Sequence, residues 1–283
     1  MLKQRVITAL VLLALLLLAL FNPAAWPFSL LTLVMIGAAG WEWGRLNGLA
    51  DGAALAIGAA VVVFCLCATA AGWLAEPPNW LWWVATLVWV LGGARAIRLG
   101  SSAWSHHAAA WRQTVGILAL ALAWLALGHA RSRGINFLLS VCGLVWIADI
   151  AAYFGGRTFG RRKLAPAISP GKSWEGVWSG MAGVLVLAFA WPAWVDGRPW
   201  VDSTSLFGLL FTELGTLLGV LALLFLCAMS VVGDLVESLV KRAAGAKDSS
   251  RLLPGHGGVL DRVDALLPVF PIALALVGLH GRA

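Results

Sequence analysis

The sequence predicts an all-α, polytopic integral membrane protein with about nine transmembrane helices. Composition is the first sign: 61% of the 283 residues are apolar and 12% are charged, against about 25% charged in a soluble domain. Too little polar surface is left to wrap a single water-soluble core. Distribution is the second, because the apolar residues fall in runs near the ~20 residues that a helix needs to cross a hydrocarbon core. Tryptophan is the third. There are 17, and Trp26, Trp80, Trp82, Trp83, Trp191, Trp194 and Trp200 flank apolar runs, where interfacial anchors sit.

Taken in order, the runs are 6–21, 26–41, 54–73, 80–94, 114–130, 135–155, 174–193, 206–232 and 264–280. The first follows Lys3 and Arg5, and also fits the pattern of a cleaved signal peptide. Between the third and fourth, "WLAEPPN" at 73–79 holds two prolines and no basic residue, which suits an external turn. With a cytoplasmic N-terminus, nine crossings leave Arg131, Arg133, Arg198 and Arg282 outside and the other sixteen of the 20 Lys and Arg inside. Cytoplasmic loops carry such an excess. The net charge of +7 therefore belongs to the membrane face and its anionic headgroups, with no nucleic acid partner. Arg131 and Arg133 break the rule, in a very short turn between the fifth and sixth runs. Cys65, Cys67, Cys142 and Cys227 lie inside apolar runs without metal-like partners and read as small packing residues. Residues 1–140 are expected to form N-terminal transmembrane helices. Residues 141–283 form a C-terminal transmembrane catalytic region whose polar loops, 149–175 and 234–264, share one face.

The chemistry is concentrated in "SLVKRAAGAKDSSRLLPGHGGVLDRVD", Ser238 to Asp264. Just before and into it, Asp234, Glu237, Ser238 and Lys241 are spaced i, i+3, i+4, i+7 and share one helical face. A carboxylate at that depth is expensive without a partner. Asp261 and Asp264, three apart, open the last run and point the same way from a helix N-terminus, where negative charge is tolerated. Only about 20 residues join the two helix ends, so Asp234, Asp261 and Asp264, with Asp248 as a further ligand, are expected to converge on one divalent cation, the way carboxylates and substrate phosphates hold Mg²⁺. Lys241, Arg242, Lys247 and Arg251 supply cationic donors for a polyphosphate. Gly255, Gly257 and Gly258 let backbone approach a ligand or present N–H groups to an anion. His256 either donates to a phosphate or leaving group, or orders the turn. Upstream, Asp149 lies within the sixth run, Arg157, Arg161, Arg162, Lys163 and Lys172 follow at its exit, and Lys172-Ser173 before Trp174-Glu175 fits a helix start.

These residues resemble the phosphatidate cytidylyltransferase (CDP-diacylglycerol synthase) family. Its signature, S-x-x-K-R-x4-K-D followed after a spacer by H-G-G-x-x-D-R-x-D, is met by Ser238, Lys241-Arg242, Lys247-Asp248, His256-Gly257-Gly258, Asp261-Arg262 and Asp264 with every spacing kept. Gly156 to Gly160, Ile168 to Gly176 and Gly233-Asp234-Leu235 also look like the family's elements, with Ser173 where many members have threonine and Arg161 where lysine is frequent. The specific motifs cover 149–264, and the first 140 residues resemble the family in hydropathy alone.

The resemblance implies a membrane enzyme that joins CTP to phosphatidate, giving CDP-diacylglycerol and pyrophosphate. It also implies dependence on Mg²⁺ bound by the paired aspartates, a homodimer, and a bacterial-type inner membrane with the site at its cytoplasmic face. On this reading Lys241, Arg242, Lys247 and His256 act on the triphosphate, and Arg157 and Lys172 hold the lipid headgroup. Ser238, Gly257, Gly258 and Arg262 complete the substrate contacts. A CTP-dependent polyprenol or lipid kinase would use a similar phosphate site but release CDP. A transporter would place its acids near the bilayer midplane on several runs, whereas here they gather at one face.

Overall fold

Inside a bilayer every backbone N–H and C=O must be satisfied within the chain, so apolar runs fold as helices. The computed structural model describes residues 2–279, with side chains from residue 6; Arg282 lies outside the described residues, as do the side chains of Lys3 and Arg5. Helices α1 (Leu2–Leu20), α2 (Trp26–Leu46) and α3 (Asp51–Ala70) are followed by α4 (Asn79–Leu87), which continues through a π-helical turn into α5 (Gly93–His106). Then come α6 (Ala109–Arg133), α7 (Ile135–Phe159), a hairpin of β1 (Lys163–Ala165) and β2 (Ser169–Ser173), and α8 (Trp174–Trp191). The chain ends with α9 (Leu206–Ala243), the short α10 (Leu260–Val263) and α11 (Leu266–Val277).

Each of the nine apolar runs is helical. Among the described residues, six rods are long and apolar enough to cross a membrane: Asp51–Ala70, Asn79–His106, Ala109–Arg133, Ile135–Phe159, Trp174–Asp196 and Leu206–Ala243. α1, α2 and α11 fall outside that set. With 12 residues, α11 is about 18 Å long at 1.5 Å per residue, against a hydrocarbon core of ~30 Å. It is instead sheathed by protein, with Val269, Phe270, Ile272 and Ala273 almost fully buried. The described residues thus give six crossings by length and composition; the expected nine is matched only as a number of helical runs.

The hairpin is an addition to the all-α expectation. β1 and β2 pair antiparallel, Lys163 opposite Ser173 and Ala165 opposite Ser169. Ser173 then caps α8, its Oγ accepting from the Gly176 N–H at 3.2 Å, the role serine favours at a helix start. α9 runs past the expected end at 232 and is broken at Gly215, where φ is 75°, a left-handed conformation that glycine takes without steric cost.

Lipid supplies no hydrophobic drive for helices to associate, so small residues that let backbones approach must hold them together. Along α7 and α8, a Cβ on Gly176 would lie 2.9 Å from the Ala152 carbonyl oxygen, on Gly180 2.9 Å from that of Ala148, and on Gly183 2.8 Å from Ala151 Cβ. α2 and α3 share a second seam, where a Cβ on Gly44 would lie 2.9 Å from Ala54 Cα. Large apolar side chains such as Leu217 and Val186, both more than 70% exposed, cover the outer surface.

The two ends of the bundle differ. At one, the Asp202 carboxylate accepts from the Ile135 and Asn136 N–H groups at 2.6 and 3.0 Å, and Asn136 Nδ2 donates to Asp196 Oδ1 at 2.8 Å. Arg131 donates there to the Asn22 carbonyl at 3.2 Å, and the Arg133 guanidinium lies 5.2 Å from the Phe137 ring centre. Both arginines that break the charge rule thus have local partners. At the other end, the hairpin, the C-terminal end of α9, and α10 come together.

Gly180→Val therefore forces a branched side chain into the α7–α8 seam. It should lower the thermal midpoint in detergent, at a cost of ~1–3 kcal/mol. Gly171→Ala, where a Cβ meets nothing within 4 Å, should leave it unchanged; scanning both variants beside the parent checks the pair.

Candidate active site

The last turns of α9 build the site from helical spacing alone. Asp234, Glu237, Ser238 and Lys241 do share a face. Ser238 Oγ donates to Asp234 Oδ1 at 3.3 Å. Lys172, at the end of β2, reaches the other oxygen of Asp234 with its Nζ at 2.7 Å. Lys241 is held between two carboxylates, 2.6 Å from Glu237 Oε2 and 2.7 Å from Asp261 Oδ1, and only 12% of its side chain is exposed. An ammonium has three N–H groups, so one is left for a ligand.

α10 and α11 approach α9 at Gly233. A Cβ there would lie 2.5 Å from the Asp264 carbonyl oxygen and 2.9 Å from Pro268 Cγ. No larger residue fits, and this closeness sets Asp234 against Asp264. Asp264 lies in the two-residue link between α10 and α11, outside the crossing rods. Burial first, and then the Asp234 charge, push its carboxyl up to about 7, against the Ala265 N–H and the positive Lys241 and Lys172. Asp149 on α7 feels the same pair, Lys172 and Asp234.

Asp261 is placed differently. Its Oδ2 accepts from the Ser249 N–H at 2.9 Å, the Ser249 hydroxyl at 2.8 Å and the Gly258 N–H at 2.8 Å. Burial pushes its carboxyl up, but these bonds, with those of Glu237 and Lys241, outweigh it and hold it well below the usual carboxylate range. Within the glycine turn the Gly258 N–H goes to a carboxylate of the protein itself, Asp261. Gly257 has φ 81°, and a Cβ on it would lie 2.8 Å from Asp261 Oδ2.

Other expected donors also have protein partners. Arg262 donates through Nε and Nη2 to the His256 carbonyl, the former at 3.0 Å. Arg242 donates to the Ile168 and Ala246 carbonyls at 3.3 and 3.0 Å. Both fix loop backbone. Glu175 accepts from the Arg161 and Arg162 N–H groups at 3.0 and 3.1 Å, tying the start of α8 to the hairpin. Arg157 is exposed, its Nη1 3.4 Å from the Tyr153 hydroxyl, with no bond into the cluster among the described residues. The His256 ring is half-buried, with Nδ1 3.4 Å from the Pro254 carbonyl.

Two cavities flank the charged cluster. A polar one of about 510 Å³ is lined by Arg45, Lys247, Asp248, Ser249, Ser250 and Arg251 among others. An apolar one of about 500 Å³ runs between α4–α5, α6 and α9, and its wall includes Val88, Trp104, Leu118, Glu237 and Leu260. Glu237 in the apolar wall joins Lys241, then Asp261, then Ser249 in the polar wall. The sequence reading took Arg45 only as one of the basic residues on the inner side and passed over Glu42, which is fully buried and bonded to residues 249–260.

Among the described residues, no group of three or more His, Cys, Asp and Glu side chains stands in metal-binding geometry. Asp234 and Asp264 adjoin, while both oxygens of Asp261 are taken by Lys241, Ser249 and Gly258; Asp248 stands exposed in the polar cavity. Mg²⁺ needs only one or two carboxylates beside substrate phosphates and water. The residues present fit it, with the mutually repelling Asp234 and Asp264 as the donor pair.

The profile of the Cytidylyltransferase family matches residues 3–280. A protein of Pseudomonas aeruginosa named phosphatidate cytidylyltransferase is 40% identical over 287 residues, spanning 99% of this chain and 98% of its own. One of the same name from Haemophilus influenzae is 35% identical, spanning 96% of each.

Between about pH 4 and about 7, the unfolded chain has lost a proton that folded Asp264 keeps. Stability from this group therefore falls as pH rises through that window. In metal-free detergent the parent should match Asp264→Asn near pH 4 and melt progressively below it towards pH 7, as paired melts across the range will record.

Proposed function

The chain belongs to the Cytidylyltransferase family, and from that premise we propose that it is a phosphatidate cytidylyltransferase, transferring the cytidylyl group of CTP to phosphatidate to give CDP-diacylglycerol and pyrophosphate. One observation supports this best: a polar and an apolar cavity of similar size adjoin the Lys241–Asp261 pair through its bonded neighbours, the first lined by Ser249, which bonds Asp261, and the second by Glu237, which pairs with Lys241. The first suits a nucleotide triphosphate, and the second suits acyl chains that never leave apolar surroundings.

The reaction is an in-line displacement. A phosphatidate oxygen forms a bond to the CTP α-phosphorus, the bond from that phosphorus to the α–β bridging oxygen breaks, and pyrophosphate leaves with the electron pair. A phosphate monoester has its second pKa near ~6, so the nucleophile is already ionised at neutral pH and needs no strong base. The obstacle is repulsion between two anions, which positioning and charge neutralisation overcome.

Lys172 and the free N–H of Lys241 face the reacting phosphates. Lys247, Arg251 and Arg45 hold the triphosphate in the polar cavity, with the His256 ring at its loop. Ser238 orients Asp234, while Asp261, Arg242 and Arg262 hold the loop that carries these groups. Bound by Asp234 and Asp264, Mg²⁺ supplies positive charge to the phosphoryl oxygens. The basic residues gathered in the 157–172 and 241–262 loops support a cytoplasmic face for this end, where CTP is available. The homodimer is part of the same proposal, and the mass of the detergent-solubilised particle tests it.

Purified protein given α-labelled CTP, phosphatidate and Mg²⁺ should move the label into lipid and release one pyrophosphate per lipid formed. Unlabelled lipid with CDP release would instead establish γ-phosphoryl transfer by a lipid kinase. In the same assay Asp234→Asn and Asp264→Asn should each lower turnover by ~10²–10³, the cost of removing a group that stabilises developing charge.

A further inference from the structure

We propose that Glu42, a residue of the N-terminal helices, is a positioning residue for this reaction, holding the 249–260 loop and through it Asp261 and Lys241; this rests on the cytidylyltransferase reading above. Glu42 lies in the last turns of α2 and is 0% exposed. A carboxylate so deep survives only with full hydrogen bonding. It has it: Oε1 accepts from the Ser250 hydroxyl at 2.5 Å and the Val259 N–H at 2.9 Å, and Oε2 from the Ser249 hydroxyl at 3.1 Å and the Leu260 N–H at 2.7 Å. All four donors belong to the one loop that carries the glycine turn.

The loop is shaped around this carboxylate. A Cβ on Gly258 would lie 2.0 Å from Ser249 Oγ and 2.3 Å from Glu42 Oε1, so glycine at 258 is required by the inserted acid. Ser249 stands between two acids, its Oγ also 2.8 Å from Asp261 Oδ2. Asp261 holds the Lys241 ammonium at 2.7 Å. The Ser249 hydroxyl has one proton to share between the two acids, while its backbone N–H bonds Asp261 at 2.9 Å; a chain of polar contacts therefore runs from α2 through Ser249 and Asp261 to the lysine that faces the phosphates.

Glu42→Gln isolates this role, because each carboxylate oxygen faces one backbone N–H. However the amide turns, its NH₂ meets Val259 or Leu260 N–H, and two donors cannot bond. Volume is preserved and one anchor is lost. Ser249→Ala removes the hydroxyl that Glu42 and Asp261 share while leaving the Ser249 N–H bond to Asp261 in place.

The experiment compares parent, Glu42→Gln, Ser249→Ala and the double variant in detergent. It reads thermal midpoint, amide exchange at Val259 and Leu260 without substrates, and kcat and KM for CTP with phosphatidate. Positioning predicts faster exchange in Glu42→Gln, and kcat reduced ~10–100-fold, as for partners that orient a reacting group, with KM changed less than about threefold. The double variant should lose no more than the worse single, since both act on one path. Overturning results are a kcat within about threefold of parent, or a double variant that loses the product of the two singles. Should Glu42→Gln fail to fold, Ser249→Ala alone decides by the same kcat criterion. If the parent makes no cytidine-bearing lipid, it is the proposed activity that fails; the exchange arm then decides the anchor, with unchanged protection at 259 and 260 overturning it.

Discussion

The site depends on how closely α9 can lie against the α10–α11 link, and Gly233 sets that distance. With no side chain at 233, the Asp264 carbonyl and Pro268 pack where a Cβ would stand, and Asp234 is carried up to Asp264. There burial, and then the Asp234 charge, disfavour the ionised form of Asp264. The arrangement persists because Lys172 and Lys241 stand beside the pair. A cation placed between the two aspartates would relieve the same repulsion more completely.

Legibility of the fold followed hydropathy. Lipid-facing runs must be continuous and apolar, so all nine helical runs could be read, although the fourth continues to His106 beyond the expected 94 and the eighth to Ala243 beyond 232. How many cross is another matter, since α11 is apolar because protein surrounds it, and composition alone does not separate protein from lipid as the apolar neighbour. The hairpin was missed for the opposite reason. Lys163–Ala165 and Ser169–Ser173 are too short and polar for period-2 alternation to register, and they pair because α7 and α8 bring their ends together.

Legibility of the site followed sequence distance. The face of Asp234, Glu237, Ser238 and Lys241 was readable because helical period fixes it locally. Arg242 and Arg262 were readable as cations, but their carbonyl partners depend on the folded loop, and charge alone could not tell a substrate donor from a loop brace. Glu42 was out of reach, its partners being 207 to 218 residues away. Its one local signal was a lone acid, between Trp41 and Trp43, at the end of an apolar run, where an unpartnered carboxylate would be too costly to keep.

That contrast separates two kinds of acid at the same face. Glu42, Asp261 and Glu175 each accept several bonds from backbone or hydroxyl donors, which ties each of them to a loop or a helix start. Asp234 and Asp264 have other partners: Asp234 accepts from Ser238 Oγ and pairs with Lys172 Nζ, and Asp264 accepts from the Ala265 N–H in its own link. The signature's two aspartates, three residues apart on one helical turn, therefore meet different partners: Asp261 bonds Ser249, Gly258 and Lys241, and Asp264 lies against the end of α9, where it feels the Asp234 charge.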